Sequence, residues 1–439
     1  MQQLYINNKG KAIFTISSLA TNLFCISQFA NICMATSWAL ETVLYAFIAI
    51  IACVAISRRR IPVHGYFAFQ LILLLYFLAM IIAGLSTAGS ISLAALISLV
   101  KNFVSDYAIF IFVVASASYT RKMKGYIGSA IVALSVLMIY NVNLTNITRI
   151  DTSTVHVMPL GLDIRGPVAT SLGYISSMLF YLLMMEKDTF THKWLWYVSM
   201  GFCGVVTLIS GTRKVLLIIV IAVIMIPMLN TEINAAKANK ILKVLFICVA
   251  VSIAIYFLLM KIPTLYEVLG RRLESAINML MYEGSVEDRS MVIRYGLRDM
   301  AYEAITEKPV FGWGLNSFRY TINNTYKAKD ANTFYYSHSN YTEMLVNGGI
   351  IAFLLYYLKY AWLLKGLYRI KKSQLASNNQ RFHAKCYILL IFLVVVLDYW
   401  QITYSFPNLT MPCIMITAYV SMPEQNRVIC QGKKSARRW

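Results

Sequence analysis

A histidine and several arginines in the second half of the chain are of types that could do chemistry together. His338 lies in SHSNYTEML, Arg213 ends the short run SGTR, and Arg294 stands in MVIRYGLRDM. An imidazole with its usual pKa of about 6.5 can act as a general base at neutral pH, whereas the planar guanidinium group matches phosphate oxygens and stays charged. His338 is therefore a candidate general base, and the arginines are candidates for binding phosphate.

Further candidates lie in the same region. Arg289 and Arg298 add hydrogen-bond donors to the stretch that carries Arg294. The candidate glycan-binding residues are Trp313, Tyr335, Tyr336 and Asn340. Each type also has a plainer interpretation, because surface arginines anchor helix ends or face water, outer aromatic residues form an interfacial belt, and a lone histidine is often structural.

The composition places these residues in a membrane protein. Of the 439 residues, 59% are hydrophobic and only 13% are charged, and the mean hydropathy is +0.62. The chain repeats apolar runs with almost no charge, and runs of about 20 residues cross a hydrocarbon layer of roughly 30 Å. We therefore predict an all-α, polytopic integral membrane protein in contact with membrane lipid.

Charge and cysteine usage argue against other classes of function. The formal net charge is +21, but most basic residues fall in short connections between apolar runs, so nucleic acid is not a predicted partner. The eight cysteines offer no CxxC pair and no metal-ligand spacing, which argues against disulfides and a zinc site. Walker, GxSxG and HExxH motifs are absent as well. No metal or cofactor is predicted.

The apolar runs predict about twelve transmembrane helices. Their ranges are 12–32, 37–56, 65–84, 97–117, 125–140, 167–185, 193–210, 214–229, 242–260, 341–364, 385–403 and 406–421. The fourth range is the least regular, because Lys101 and Asp106 lie near its start. The run that precedes it, LSTAGSISLAALISLV, also fits a re-entrant or interfacial piece.

Basic residues on alternate connections predict the orientation of these helices. They place both termini in the cytoplasm and residues 261–340 on the outer side, as one large loop. The predicted division is helices one to nine in 1–260, the loop in 261–340, helices ten to twelve in 341–421 and a basic tail in 422–439. Within the loop, apolar spacing from Asp288 to Thr306 predicts an amphipathic helix that carries three of the arginines. Asp398, in the eleventh predicted helix, is either a counter-ion for Arg213 or a local hydrogen-bonding residue.

Four stretches together resemble a known family. They are SGTRK (Ser210 to Lys214), Arg294 within its helix, KPVFGWGLNSF (Lys308 to Phe318) and SHSNYTEMLVNGGII (Ser337 to Ile351). In order, spacing and placement around one outer loop, they are similar to the bacterial O-antigen polymerase and O-antigen ligase superfamily of membrane glycosyltransferases. The resemblance covers roughly the second half of the chain.

The resemblance implies a reaction and a place for it. Members move a glycan from undecaprenyl diphosphate to an acceptor hydroxyl at the periplasmic face of the bacterial inner membrane, without metal or nucleotide sugar. It implies that Arg213 and Arg294, with Arg289 and Arg298 nearby, bind the diphosphate and that His338 activates the acceptor. The expected partners are the undecaprenyl-diphosphate-linked oligosaccharide, membrane lipid and a chain-length regulator protein.

One departure from the family bears on the branch. Ligases often show two histidines as HxHN, whereas Tyr336 holds the first of these positions and Ser339 follows His338. This favours a polymerase that joins repeat units of O-antigen or a related surface polysaccharide. Two alternatives remain open, namely a ligase that transfers the polymer to lipid A core and a flippase or other transporter of lipid-linked oligosaccharide.

Overall fold

The computed structural model describes residues 64–87, 89–115, 119–141, 168–187, 192–229, 289–318, 336–400 and 410–422, with isolated positions elsewhere. In this part of the chain all regular structure is helical. The helices are α1 (Gly65–Ile82), α2 (Gly89–Ala115), α3 (Tyr119–Asn141), α4 (Ala169–Met185), α5 (Lys193–Ile209), α6 (Arg213–Leu229), α7 (Arg289–Glu307), α8 (Asn340–Lys372), α9 (Asn378–Leu397) and α10 (Thr410–Ser421). Among the described residues five helices, α1, α2, α3, α8 and α9, are long and apolar enough to cross a membrane.

The predicted spans that fall within these residues are all helical. From Gly89 onwards, the run LSTAGSISLAALISLV belongs to α2, which is unbroken to Ala115, so this part of the run is not a separate re-entrant piece. The eleventh predicted helix begins earlier than 385, because Ser377 and Gln380 form a capping box at the start of α9. The ranges 12–32, 37–56 and 242–260 lie outside the described residues, so the number twelve stays a prediction.

α8 is the central helix of the described structure. It packs against α1, α7, α9 and α10, while α4 packs against α5 and α6. The buried apolar side chains of these helices form one continuous core, apart from a small second cluster under α7. α8 continues beyond the predicted end at 364 to Lys372. Four exposed cations lie near the C-terminal end of α8, namely Lys365, Arg369, Lys371 and Lys372.

A bend at Gly349 interrupts α8 near its start. Gly349 has φ 62° and ψ −163°, a backbone conformation outside the helical region. The N–H of Ile350 donates to the carbonyl of Pro309 at 2.9 Å, whereas a regular helix would direct it to the carbonyl of Val346. The bend therefore leaves helix peptide groups available to a second segment of the chain.

The turn 308–318 occupies those peptide groups. Val346 accepts a backbone hydrogen bond from Trp313 at 2.8 Å, and Asn347 accepts one from Gly314 at 2.9 Å. The partner of this glycine-rich turn is therefore the bend of α8. Because the turn follows α7 directly, these bonds hold α7 beside the first turns of α8.

The connection between α1 and α2 supports the same turn from the other side. Thr87 donates its backbone N–H and its hydroxyl to the carbonyl of Trp313, at 3.0 and 2.8 Å. Ser92 donates its hydroxyl to the carbonyl of Leu315 at 2.7 Å. The turn is thus fixed by backbone and side-chain bonds to α8, to α2 and to the connection between α1 and α2.

Candidate active site

His338 lies in the short segment 336–339 that leads into α8. Its backbone has φ 56°, in the left-handed region that residues with a Cβ rarely adopt. The imidazole is half-buried and packs at an angle against the ring of Tyr336, with ring centroids 4.1 Å apart. The backbone conformation and the ring contact together restrict the direction of the imidazole.

The surroundings of His338 favour its neutral form. Burial is the largest cause, followed by the positive charges of Arg294, Lys214 and Arg298, and together they lower the pKa of the imidazole from 6.5 to about 4. Each of these effects disfavours the protonated ring. The imidazole is therefore neutral at physiological pH and can accept a proton. An anion bound among the three cations would offset their charge and raise this pKa.

α7 contributes two of the predicted arginines. Arg294 is exposed, and of the three cations its charge has the largest effect on His338. Arg298, one turn later, is half-buried, and its guanidinium lies over the ring of Tyr399 at 4.6 Å from the centroid. The same guanidinium is 3.4 Å from the hydroxyl of Tyr399. Arg298 is therefore held in place by the protein, whereas Arg294 faces solvent near the base.

Three consecutive residues after α9, the Asp398–Trp400 segment, each contact a different helix of the site. The side-chain oxygen of Asp398 accepts a hydrogen bond from α8, the ring and hydroxyl of Tyr399 contact α7, and the carbonyl of Trp400 accepts from α6. The donors are Asn340 Nδ2 at 3.2 Å, Arg298 Nη1 at 3.4 Å and Lys214 Nζ at 2.6 Å. This segment therefore links α8, which begins just after the base, to the two helices that carry Lys214 and Arg298.

The corner before α6 is built for close packing. Gly211 has φ 63°, and Gly173 on α4 allows the side chain of Ser210 to approach, since a Cβ there would be 2.5 Å from Ser210 Oγ. Arg213 and Arg289 are described only as the first residues of α6 and α7. The close packing of this corner therefore fixes the position of Lys214 and of the start of α6 relative to α4.

The predicted glycan-binding residues have different surroundings. Trp313 donates its indole N–H to the carbonyl of Ala304 at 2.9 Å and packs on the cluster under α7. Asn340 is fully buried and bonded to Asp398, and Tyr336 packs on His338. Tyr335 lies outside the described residues. Trp313 and Asn340 thus have partners within the protein, and the sugar-binding role of all four stays a prediction.

Two residues of the site were not predicted from the sequence. Lys214 was part of the SGTRK motif, so its place beside Arg213 was an available signal. Tyr399 was assigned to the interior of the eleventh predicted helix, which ends instead at Leu397. Asp398 is buried and bonded to Asn340 and to the hydroxyl of Tyr357, in agreement with the local hydrogen-bonding alternative.

Residues 198–357 match the family model described as O-antigen ligase. The match supports the resemblance to the O-antigen ligase and polymerase superfamily in this part of the chain. Proteins of this family are membrane glycosyltransferase-like enzymes. None of the curated proteins matches the chain.

The matched O-antigen ligase segment contains the residues that surround His338. Arg294, Arg298 and Lys214 all lie within it, as do the turn 308–318 and the bend at Gly349. The Asp398–Trp400 segment lies beyond it. A later part of the chain therefore contributes contacts that hold together side chains of the family segment.

Proposed function

We propose that this protein is an O-antigen polymerase, or the polymerase of a related surface polysaccharide. It joins undecaprenyl-diphosphate-linked oligosaccharide repeat units at the periplasmic face of the inner membrane. The family match supports a role in O-antigen synthesis. The observation that carries the proposal is a neutral imidazole, His338, in the field of Arg294, Lys214 and Arg298, because the transfer needs both a base and cations.

The proposed reaction is a direct transfer of the glycan from its diphosphate carrier to a hydroxyl group of the acceptor. The acceptor hydroxyl gives its proton to His338 while its oxygen forms a bond to the anomeric carbon of the donor sugar. The bond from that carbon to the diphosphate oxygen breaks, and its electron pair leaves with undecaprenyl diphosphate. The proton then passes from His338 to the departing diphosphate or to water, which restores the base.

The cations stabilise the leaving group. Negative charge grows on the diphosphate as the bond breaks, and one preorganised donor at such a site is typically worth about 3 kcal/mol. Arg294 and Arg213 supply the guanidinium groups in this proposal, and Lys214 adds a positive charge when it is protonated. The lipid-linked sugar is already activated, so the reaction requires no nucleotide sugar.

A ligase is the second candidate, because the matching family model is described as O-antigen ligase. Tyr336, in the place of the first histidine of HxHN, favours the polymerase. The lipopolysaccharide ladder of a deletion strain distinguishes the two. Loss of a polymerase leaves core plus a single repeat unit, whereas loss of a ligase leaves bare core and lipid-linked polymer.

The role of His338 is tested by complementation of that strain and with purified protein. We expect His338→Ala to lower turnover by roughly 10² to 10⁴ while binding of the lipid-linked donor survives. His192→Ala is the matched control, because His192 is exposed before α5 and is not part of the site. Turnover near that of the wild type in His338→Ala would contradict the proposal. Transport of lipid-linked oligosaccharide across vesicles without glycan transfer would support the transporter instead.

A further inference from the structure

A buried carboxylate at the start of α8 has no role in the reaction described above. Glu343 is 1% exposed, and a buried carboxylate is costly unless it accepts hydrogen bonds. Both donors of Ser337 reach it: the backbone N–H lies 3.1 Å and the hydroxyl 2.8 Å from Glu343 Oε2. Glu343 therefore fixes the residue immediately before His338.

The residue after His338 is fixed as well. The carbonyl of Ser339 accepts a hydrogen bond from the hydroxyl of Thr342 at 3.2 Å, and it lies 3.0 Å from the hydroxyl of Ser337, whose single proton it shares with Glu343. The backbone N–H of Glu343 donates to the same carbonyl at 3.0 Å. His338 is thus flanked on both sides by residues tied to the first turn of α8.

This fixation matters because the backbone of His338 is strained. A φ of 56° places its Cβ close to the following carbonyl, and such a conformation persists only where the surrounding structure determines it. Without the bonds to Ser337, the segment can relax to an ordinary φ, and the imidazole then turns away from its present direction. The carboxylate of Glu343 opposes that relaxation.

We propose that Glu343 is a positioning residue, which holds His338 in its left-handed backbone conformation by accepting both hydrogen bonds of Ser337. The inference rests on the proposed function in one respect, namely that His338 is the base. Glu343 acts in this proposal because it accepts hydrogen bonds and because its side chain is long enough to reach Ser337. Its charge and its ability to take up a proton are not required.

Two substitutions at Glu343 separate these roles. In Glu343→Gln the amide oxygen can still accept both bonds, so we expect turnover to fall less than about tenfold. In Glu343→Asp the charge stays, but the shorter side chain cannot reach Ser337, so we expect turnover to fall by roughly 10² or more with the KM for the donor little changed. Glu303→Gln, at an exposed position of α7, is the control. An active Glu343→Asp with an inactive Glu343→Gln would overturn the proposal in favour of a base or a charge effect.

A second measurement does not depend on activity. Nuclear magnetic resonance of protein labelled at its five histidines, assigned with His338→Ala, reports the pKa of the His338 imidazole. We expect Glu343→Asp to raise it from about 4 towards the value of a free side chain, because the ring leaves its half-buried position, and Glu343→Gln to leave it low. An unchanged pKa in Glu343→Asp would overturn the proposal.

The double variants connect the two measurements. If Glu343 acts through His338, Glu343→Asp causes no further loss of turnover in a His338→Ala background. A further loss with normal abundance would show a separate role and contradict the proposal. If His338→Ala itself keeps full turnover, the proposed base is wrong, yet the histidine resonances still decide whether Glu343 positions His338.

Discussion

The backbone N–H of Trp313 donates to the carbonyl of Val346 at 2.8 Å and joins two motifs that are distant in the sequence. One motif follows the arginine-bearing α7, and the other contains the bend of α8 that comes after His338. The glycine-rich turn and the NGG sequence therefore have a shared mechanical role. They fix the arginines of α7 relative to the base.

The bend of α8 is predicted to tolerate no side chain at Gly349. A Cβ at this position would overlap the backbone of Val310, and the backbone conformation, φ 62° with ψ −163°, is essentially restricted to glycine and costs another residue about 1 to 3 kcal/mol. We expect Gly349→Ala to lower the melting temperature in detergent and the activity together. Gly201→Ala in α5 is the control, because a Cβ there meets nothing within 4 Å. Equal melting temperatures for the two variants would contradict the prediction.

The pH dependence of the reaction is predicted to differ between free enzyme and donor complex. The low pKa of His338, about 4, keeps the base neutral in the free enzyme, so kcat/KM should be insensitive to His338 between about pH 6 and 8 and fall only near pH 4. A bound diphosphate offsets the cations, so the inflection in kcat should lie at higher pH. Inflections at the same pH would indicate that the diphosphate does not bind beside His338.

The same pKa has a consequence for stability. Because the folded pKa lies below the value of about 6.5 in an unfolded chain, protonation of His338 favours the unfolded state. Its contribution to stability is fully present above about pH 6.5 and is lost as the pH falls towards 4. Denaturation of His338→Ala should accordingly show less acid sensitivity than that of the wild type.

Lys214 is predicted to tune the base. Its charge helps to lower the pKa of His338, so Lys214→Met should move the inflection of kcat/KM to higher pH and weaken donor binding. Lys308→Met is the control, because Lys308 lies over the ring of Trp313 and is not among the cations that act on His338. The pH profiles of both variants, measured at saturating acceptor, check this. If the inflection of kcat/KM moved by the same amount in Lys214→Met and Lys308→Met, a specific effect of Lys214 would be ruled out.

The arginines are predicted to bind the diphosphate by geometry as well as charge. Arg294→Lys and Arg213→Lys should lower kcat/KM by roughly 10² to 10³ with normal membrane insertion. Arg289→Ala and Arg298→Ala should be milder, the latter because its guanidinium already contacts Tyr399. Arg369→Lys is the control, because Arg369 is exposed at the far end of α8. Full activity in both Arg213→Lys and Arg294→Ala would exclude these two arginines as the diphosphate-binding residues.

The orientation of the chain is predicted by charge alternation. Reporter fusions near Asn324 should be active in the periplasm, and fusions near Ser373, after the cations of α8, should be active in the cytoplasm. The two positions flank the segment that contains His338. The opposite pattern would place the base on the wrong side for a periplasmic donor.

Hydropathy predicted the helices well because the apolar runs are long and almost free of charge. Their ends were less predictable, since they depend on individual side chains: the capping box at Ser377 begins α9 before its apolar run. The alternation of charge did not reveal the bend at Gly349. That bend becomes stable only when Pro309, Trp313 and Gly314 supply partners from another part of the chain.

The sequence predicted candidate functional groups but not the contacts among them. His338, Arg294 and Arg298 were predicted as candidates from residue type and helical spacing. In the fold, the charges of both arginines act on the pKa of His338. Tyr399 could not be predicted in this way, because an aromatic residue at the end of an apolar helix is typical of any membrane interface. Its contact with Arg298 depends on where α9 ends.

The Asp398–Trp400 segment comes later in the chain than every helix it fastens. During synthesis α6, α7 and α8 emerge first, so Lys214 and Arg298 gain their contacts with this segment only after α9 has been made. A nonsense mutation between residue 357 and Asp398 would leave the whole matched segment 198–357 translated, with base and cations present but without the contacts that Asp398–Trp400 supplies. Such an allele should behave genetically as a null, even though the ribosome has already incorporated every residue that the family motifs supply.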